Sequence, residues 1–418
     1  MSEPNLIEPG SVELNHVVLF NANGEGVNLT LNVASLSIYE NIMAPFITGE
    51  LVISDAIDLT GFMPLKGEET LVLSLQTPGF DDDFFKRVNT YHVYKMESKI
   101  NAAMKQEVLI LKFVSIEAMI DVNTRISKTY KGKVSDSVES FITSSLGLNT
   151  KKPALVEPTV NYEMHTSNFW TPTQNIYYLS GRALNVKNNP SFLFFENKDG
   201  FVFSSLDVLN STSPIMVFLK DQYQRDPTKE RNFLAEYARV LDMETTDHYD
   251  YFERIRNGQY GSATYFFDIE TKKLHYIERD AKTSFDSKLL NQKRPFEDYQ
   301  DLPAKPIANL RTEVQHRSIH NGTPLLPIDT GMKRAALLTQ EQFFKTNIQV
   351  FGRFDYTVGR TVYLQVYKNK QTLTSDTETD VIDTIMTGKY LITSIAHHIT
   401  RKKHVCNIEL SKDSISVL

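Results

Sequence analysis

The chain has 418 residues, 41% of them hydrophobic and 23% charged, the profile of a folded protein of roughly two to four domains. A net charge of −6 and an isoelectric point near 6.0 argue against a protein that grips nucleic acid through its phosphates. The single cysteine, Cys406, excludes an internal disulfide framework and fits a reducing compartment; the polar start Met1-Ser2-Glu3-Pro4-Asn5 is not that of a signal peptide, and no apolar run approaches the roughly twenty residues that span a bilayer.

From Val12 to about Ser115 the pattern is β. Val12, Leu14, Val17 and Leu19 lead to a turn at Asn21-Ala22-Asn23-Gly24, apolar residues recur at Leu29, Leu31 and Val33, and Phe46–Ile53 forms a further strand ended by Ser54-Asp55. Asp81-Asp82-Asp83 reads as a solvated loop tip. After Ile116 the period becomes helical. Asp136 with Glu139 predicts a helix start, Val138, Phe141, Ile142 and Leu146 its buried face, and Gly147 its end. Thr171-Pro172-Thr173-Gln174 is a stronger start, a threonine cap with proline in the first turn and glutamine reaching back, followed by a buried stripe of Ile176, Leu179, Ala183 and Leu184. Ser191–Phe195, the turn Asn197-Lys198-Asp199-Gly200 and Phe201–Ser204 predict a tight hairpin.

A helix is expected from about Thr228 to Leu241 and another ending at Gly258, followed by strands at Thr264–Asp268 and Lys273–Tyr276. The stretch from Ala281 to Met332 is polar, with weak periodicity. Asp376-Thr377-Glu378-Thr379-Asp380 reads as an acidic loop. The chain thus divides into a first β-barrel over 1–118, an α+β middle domain over 119–225, a second barrel with preceding helices over 226–280 and 333–418, and a small insertion domain over 281–332.

The two barrels are expected because two segments resemble each other. Pro64–Leu73, with Gly67, precedes a hairpin from Tyr91 to Leu111; Tyr356–Leu364, with Gly359, precedes one from Tyr390 to Leu410. Tyr91 to Leu111 spans the same number of steps as Tyr390 to Leu410, so the hairpins are expected to superpose without a gap. A chain with two equivalent modules can trimerise and present six of them, a geometry that joins threefold to sixfold parts.

Motifs for chemistry are sparse. Gly-x-Gly-x-x-Gly, the Walker A loop, Gly-x-Ser-x-Gly and His-Glu-x-x-His are all absent. His397, His398, His404 and Cys406 lie on the two arms of the last hairpin, and histidine with cysteine can ligate zinc. Consecutive His397 and His398 must point to opposite faces, so only part of the set can converge; the matching hairpin has Ser98, Lys99, Lys105 and Glu107 there, and a half-exposed hairpin without metal is the expectation. His316 and His320 share helical spacing but lack a partnering glutamate, Glu68 and Glu69 lie in a loop, and Cys406 reads as buried filler. Phe192, Phe194, Phe195, Phe201 and Phe203 have acidic neighbours and read as core, not as base-stacking platforms. No catalytic, cofactor-binding or metal residue is expected.

Several stretches together resemble the baseplate hub proteins of contractile-tailed bacteriophages, whose fold recurs in the hub part of type VI secretion spikes. They are Trp170-Thr171-Pro172, Ser191–Leu206, Asn257-Gly258 with Asp268, Gly352 with Val358-Gly359, Thr387–Ile392, His397, and Ser411-Lys412-Asp413-Ser414. The resemblance implies a mainly β fold with α+β insertions, in which two tail-tube-like β-barrel domains form a pseudo-hexameric ring as a homotrimer. It implies a structural virion protein without catalytic residues or cofactor, assembled in the host bacterial cytoplasm. Its implied partners are a hexameric tail tube or tube adaptor and a trimeric central spike, with tape measure and baseplate wedge proteins as further neighbours. DNA passes the lumen only in transit, and nothing inserts in a membrane. A tube-initiating or distal tail ring protein, the hub of a phage-like injection machine, and an enzyme acting on cell-wall glycan are the alternatives.

Overall fold

A computed structural model of the chain describes residues 8–55, 59–80, 82–103, 106–220, 233–247, 250, 252, 254, 261–268, 272–280, 286–294, 308–311, 330–368 and 382–416. The first module is an antiparallel sheet of β1 (Glu13–Phe20), β2 (Gly26–Asn28), β3 (Val33–Asn41), β4 (Thr48–Asp55), β5 (Thr70–Gln76), β6 (Lys86–Ala103) and β7 (Gln106–Ser115), in the order β2-β1-β5-β6-β7-β4-β3. Strict alternation buries one face: Leu71, Leu73 and Leu75 on β5 and Leu51 and Ile53 on β4 meet Tyr91 and Phe113 in one core. The expected Asn21–Gly24 turn is present, with the Asn21 side-chain oxygen accepting from the backbone of Asn23 and Glu25.

The middle segment has its own core. It comprises α1 (Ile116–Asn123), β8 (Thr129–Lys133), α2 (Val134–Thr143), β9 (Ala154–Val156), β10 (Tyr162–Thr166), α3 (Pro172–Ser180), β11 (Phe192–Asn197), β12 (Gly200–Ser205) and α4 (Leu206–Ser211). Phe141, Ile142, Ile176 and Leu179 pack on Phe192, Phe194, Phe201 and Phe203, so the aromatic cluster is core. Helix α2 starts two residues before Asp136, which therefore sits in its first turn instead of capping it. The Thr171 capping box is complete: Thr171 Oγ1 accepts from Gln174 N at 3.2 Å and Gln174 Oε1 accepts from Thr171 N at 3.0 Å. Thr171→Ala is expected to destabilise this region by about 1 kcal/mol in urea denaturation followed by circular dichroism, and Thr171→Ser to retain most of it. In the β11–β12 hairpin Lys198 and Asp199 form the two-residue loop, while Gly200 (φ +135°) is already paired with Asn197.

The second module contains β13 (Val217–Lys220), α5 (Phe233–Tyr237), β14 (Val240–Asp247), α6 (Thr330–Glu341), β18 (Phe344–Phe351), β19 (Thr361–Val366), β20 (Gly388–Thr400) and β21 (His404–Lys412); β15 (Gly261–Asp268), β16 (Lys273–Asp280) and β17 (Ala308–Arg311) form a separate three-stranded sheet. The helix expected over Thr228–Leu241 ends at Tyr237, because Val240 and Leu241 are drawn into β14 by its pairing with β18. Although it lies within 119–225, β13 runs parallel to β19 and joins this module's sheet. The helix ending at Gly258, the His316/His320 pair, the Asp376–Asp380 loop and most of the 281–332 segment lie outside the described residues.

The repeat is visible in the backbone. Gly67 and Gly359 both adopt left-handed conformations, φ +87° and +79°, ahead of β5 and β19. In the first module Leu71 faces Tyr91; in the second Val362 faces Tyr390. The hairpins do not superpose without a gap, however. Tyr91 pairs with Ser115 whereas Leu391 pairs with Ser411, a two-residue register difference at this end. The hairpins turn over at different places, between Ala103 and Gln106 in the first and between Ile399 and His404 in the second, and the β6–β7 ladder has three irregularities against one in β20–β21. A shift of two keeps every side chain on its face, so both cores survive it.

Two buried carboxyls at the base of the second module set a pH dependence. Glu341 accepts from Asn210 Nδ2 at 3.0 Å and from Ser411 Oγ at 3.4 Å; burial, with Asp413 nearby, pushes its carboxyl up to about 8, and burial raises Asp413 to about 6. The folded state then keeps protons that the unfolded chain has released, so this contribution to stability is full below about pH 4 and declines as pH rises toward 8. Lys412, pushed down to about 7 by burial, acts in the opposite direction above pH 7. Thermal melts between pH 4.5 and 7 should therefore show stability falling with pH by up to about 1.4 kcal/mol per unit for each proton, and Glu341→Gln should flatten the slope.

Candidate functional site at the seam between the modules

The two modules are one sheet. Strand β20 of the second pairs antiparallel with β3 of the first, from Ser394 opposite Asn41 to Thr400 opposite Ser35, giving a continuous thirteen-stranded sheet. Pairing satisfies an edge of each module that would otherwise be left open. Beneath this joint sits a polar knot. Glu40 occupies an inward position of β3, in step with Leu36 and Ile38, and is 1% exposed. One of its oxygens accepts from Arg87 Nη1 at 2.6 Å; the other accepts from Thr357 Oγ1 at 2.5 Å and more distantly from Val358 N at 3.3 Å. One carboxylate thus holds β6 of its own module and the glycine turn of the other. Burial opposes the charge on Arg87, but Tyr91 and Glu40 beside it more than offset that, and the guanidinium is held above its ordinary value.

The loop before Gly359 completes the seam. Phe354 belongs to the first module's core, and its N–H donates to Thr77 Oγ1 at 3.3 Å. Arg353 pairs with Asp355 (Nε to Oδ1, 2.9 Å) and lies within 5.2–5.7 Å of the rings of Phe80, Phe85, Tyr237 and Tyr356. The middle domain is tied in by Glu196, which accepts from Ile47 N at 3.0 Å and from Lys152 Nζ at 2.7 Å, while Lys152 also reaches Glu117 at 2.7 Å.

The last hairpin buries one face and leaves the other partly exposed. His397, His404 and Cys406 are all fully buried, because this face of β20 and β21 packs under the 352–356 loop. The two adjacent histidines do separate: His398 turns to the other face and meets Ser37 Oγ at 3.1 Å. Burial pushes His404 down to about 3, holds His397 well below the ordinary imidazole range and raises the Cys406 thiol. Glu69 is not a catalytic carboxylate; it accepts from Lys66 N and Gly67 N and shapes the first glycine turn. A shallow depression of about 380 Å³ lies over β14, β18, β20 and β21, lined by Asp242, Glu244, Gln349 and Glu409 among others. Among the described residues no helix is long and apolar enough to cross a membrane.

This architecture, mainly β with one large antiparallel sheet, is the fold of solved phage tail proteins. A 43 kDa tail protein of prophage MuSo2 from Shewanella oneidensis matches with a TM-score of 0.56 and 10% identity over 96% of this chain and 99% of that one. The tail protein of Neisseria meningitidis MC58 matches with 0.54 and 11% identity over 95% and 96%. A Francisella PdpA–VgrG complex aligns over 98% of this chain, which spans 59% of the chain it matches, at a TM-score of 0.45. No family model matches the chain, and no curated protein matches its sequence.

Proposed function

We propose that the chain is the central hub of a contractile phage tail baseplate, a homotrimeric adaptor between the sixfold tail tube and the threefold central spike. The observation that carries this reading is the edge-to-edge joining of two related modules through β3 and β20. Side by side in one sheet, they are what three chains need to imitate six units. The same junction repeated between chains would cover the outer strands β2 and β14 and close a pseudo-hexameric ring of two barrels per chain. The full-length likeness to two tail proteins supports a structural role in a virion tail.

In this reading the partners are a tube or tube-adaptor hexamer on one face and a trimeric spike on the other, with tape measure and wedge proteins around them. The protein is not an enzyme. Its acidic balance, with Asp242, Glu244 and Glu409 on one sheet face, suits a conduit that neutralises few phosphates and lets DNA slide. Native mass of the purified protein tests the proposal: three copies are expected, with a subunit interface above roughly 2,000 Å². Six copies would instead favour a tube-initiating ring protein, and clearing of peptidoglycan in a zymogram would favour a glycan-cleaving enzyme.

A further inference from the structure

The buried face of the last hairpin carries three polar side chains where neighbouring inward positions are apolar. His397 Nδ1 lies 3.0 Å from His404 Nε2 and 3.1 Å from Cys406 Sγ, and that sulfur lies 3.4 Å from His404 Nε2. Cross-strand pairing sets the triangle: His397 is opposite Cys406, and His404, two residues before Cys406 on the same face, is opposite Ile399. The 352–356 loop closes over it. Phe354 stacks on both rings at 4.6 and 6.0 Å, and Gly352 sits so close that a Cβ there would lie 2.2 Å from the His404 ring.

Protons alone serve this triangle poorly. A neutral imidazole nitrogen is either a donor or an acceptor, so one ring proton and the thiol proton can each make one good hydrogen bond, and the third contact is left without one. The outer ring nitrogens, His397 Nε2 and His404 Nδ1, and the Tyr356 hydroxyl are buried without a hydrogen-bond partner. A cluster of polar side chains so sparsely hydrogen-bonded is costly at an otherwise apolar core position.

We propose that His397, His404 and Cys406 form a structural zinc site that pins the second module's hairpin to the loop at the seam. A tetrahedral zinc with bonds of about 2.0–2.1 Å to nitrogen and 2.3 Å to sulfur holds its donors roughly 3.3–3.6 Å apart, within a few tenths of an ångström of the spacing observed. Two imidazoles and a thiol are borderline-to-soft donors, which select zinc over the oxygen-seeking magnesium and calcium. Binding replaces the Cys406 thiol proton with a Zn–S bond and releases that proton to solvent, and the three side chains supply three of the four tetrahedral positions. Among the described residues this is the one such group of three.

The test is the metal content of the untagged, full-length protein made in zinc-supplemented medium and purified without chelator. About one zinc per chain is expected, lost at least tenfold in Cys406→Ser and His404→Ala and retained in His398→Ala, which faces away. Should the buried variants fail to fold, wild-type protein reconstituted with cobalt(II) decides the matter. A thiolate-to-cobalt charge-transfer band supports the site. Wild-type protein with less than about a tenth of a zinc per chain, a cobalt spectrum without that band, or zinc retained in a folded Cys406→Ser variant would overturn it.

Discussion

Replacing Glu40 with alanine is expected to destabilise the protein by about 3–5 kcal/mol. Both members of the Glu40–Arg87 pair have fully buried side chains, so removing the carboxylate leaves a guanidinium that cannot reach water and strips Thr357 and Val358 of their acceptor. The loss falls on two modules at once. Urea denaturation should show both a lower midpoint and a loss of cooperativity as the second module opens before the first. The double replacement Glu40→Leu with Arg87→Met, which removes the charge together with its partner, should recover most of the loss. If the double variant were as unstable as Glu40→Ala, the cost would reflect packing, and the seam would not depend on this carboxylate.

The two glycine turns are expected to respond unequally to alanine. Gly67 and Gly359 share a left-handed backbone, which disfavours any side chain by about 1–2 kcal/mol. Around Gly67 an added Cβ would meet only Tyr94 O at 3.7 Å, whereas at Gly359 it would strike Phe195 at 2.6 Å. Phe195 is a fully buried ring of the middle domain, held in a shared core with Leu209 and Tyr356, so it has little room to yield. Gly67→Ala should therefore cost about 1–2 kcal/mol and Gly359→Ala about 2–5 kcal/mol, measured as shifts in urea midpoint at constant slope. Equal losses would mean that the middle domain does not brace the second turn.

Strand faces were legible in the sequence because alternation is local: Leu71, Leu73 and Leu75 declare their side without reference to any partner. So was the Thr171 cap, whose whole machinery lies within four residues. Which strands lie beside each other was not. β3 and β20 meet across more than three hundred residues, and nothing in either strand names its neighbour. Hairpin registers were missed for a related reason, since irregularities such as that at Val93/Lys95 and the place where each hairpin turns over set the ladder, and the spacing of apolar residues fixes neither. The seam left a readable mark all the same. Glu40 stands at an inward position of β3 in step with Leu36 and Ile38, where a charge requires a buried partner. Separating His397 from His398 by strand parity was sound; what the sequence could not convey is that the inward face carrying His397 is sealed by Phe354 from a distant loop.

The central claim is that one chain supplies two equivalent units of a sixfold collar, and an electron microscopy map of the isolated protein tests it directly. A closed ring of three chains is predicted, in which the turns at Gly67 and Gly359 alternate at one radius from the axis about 60° apart, as three pairs of modules require. A ring with the two turns at different radii, or particles in which the modules of one chain lie at unlike heights along the axis, would contradict it.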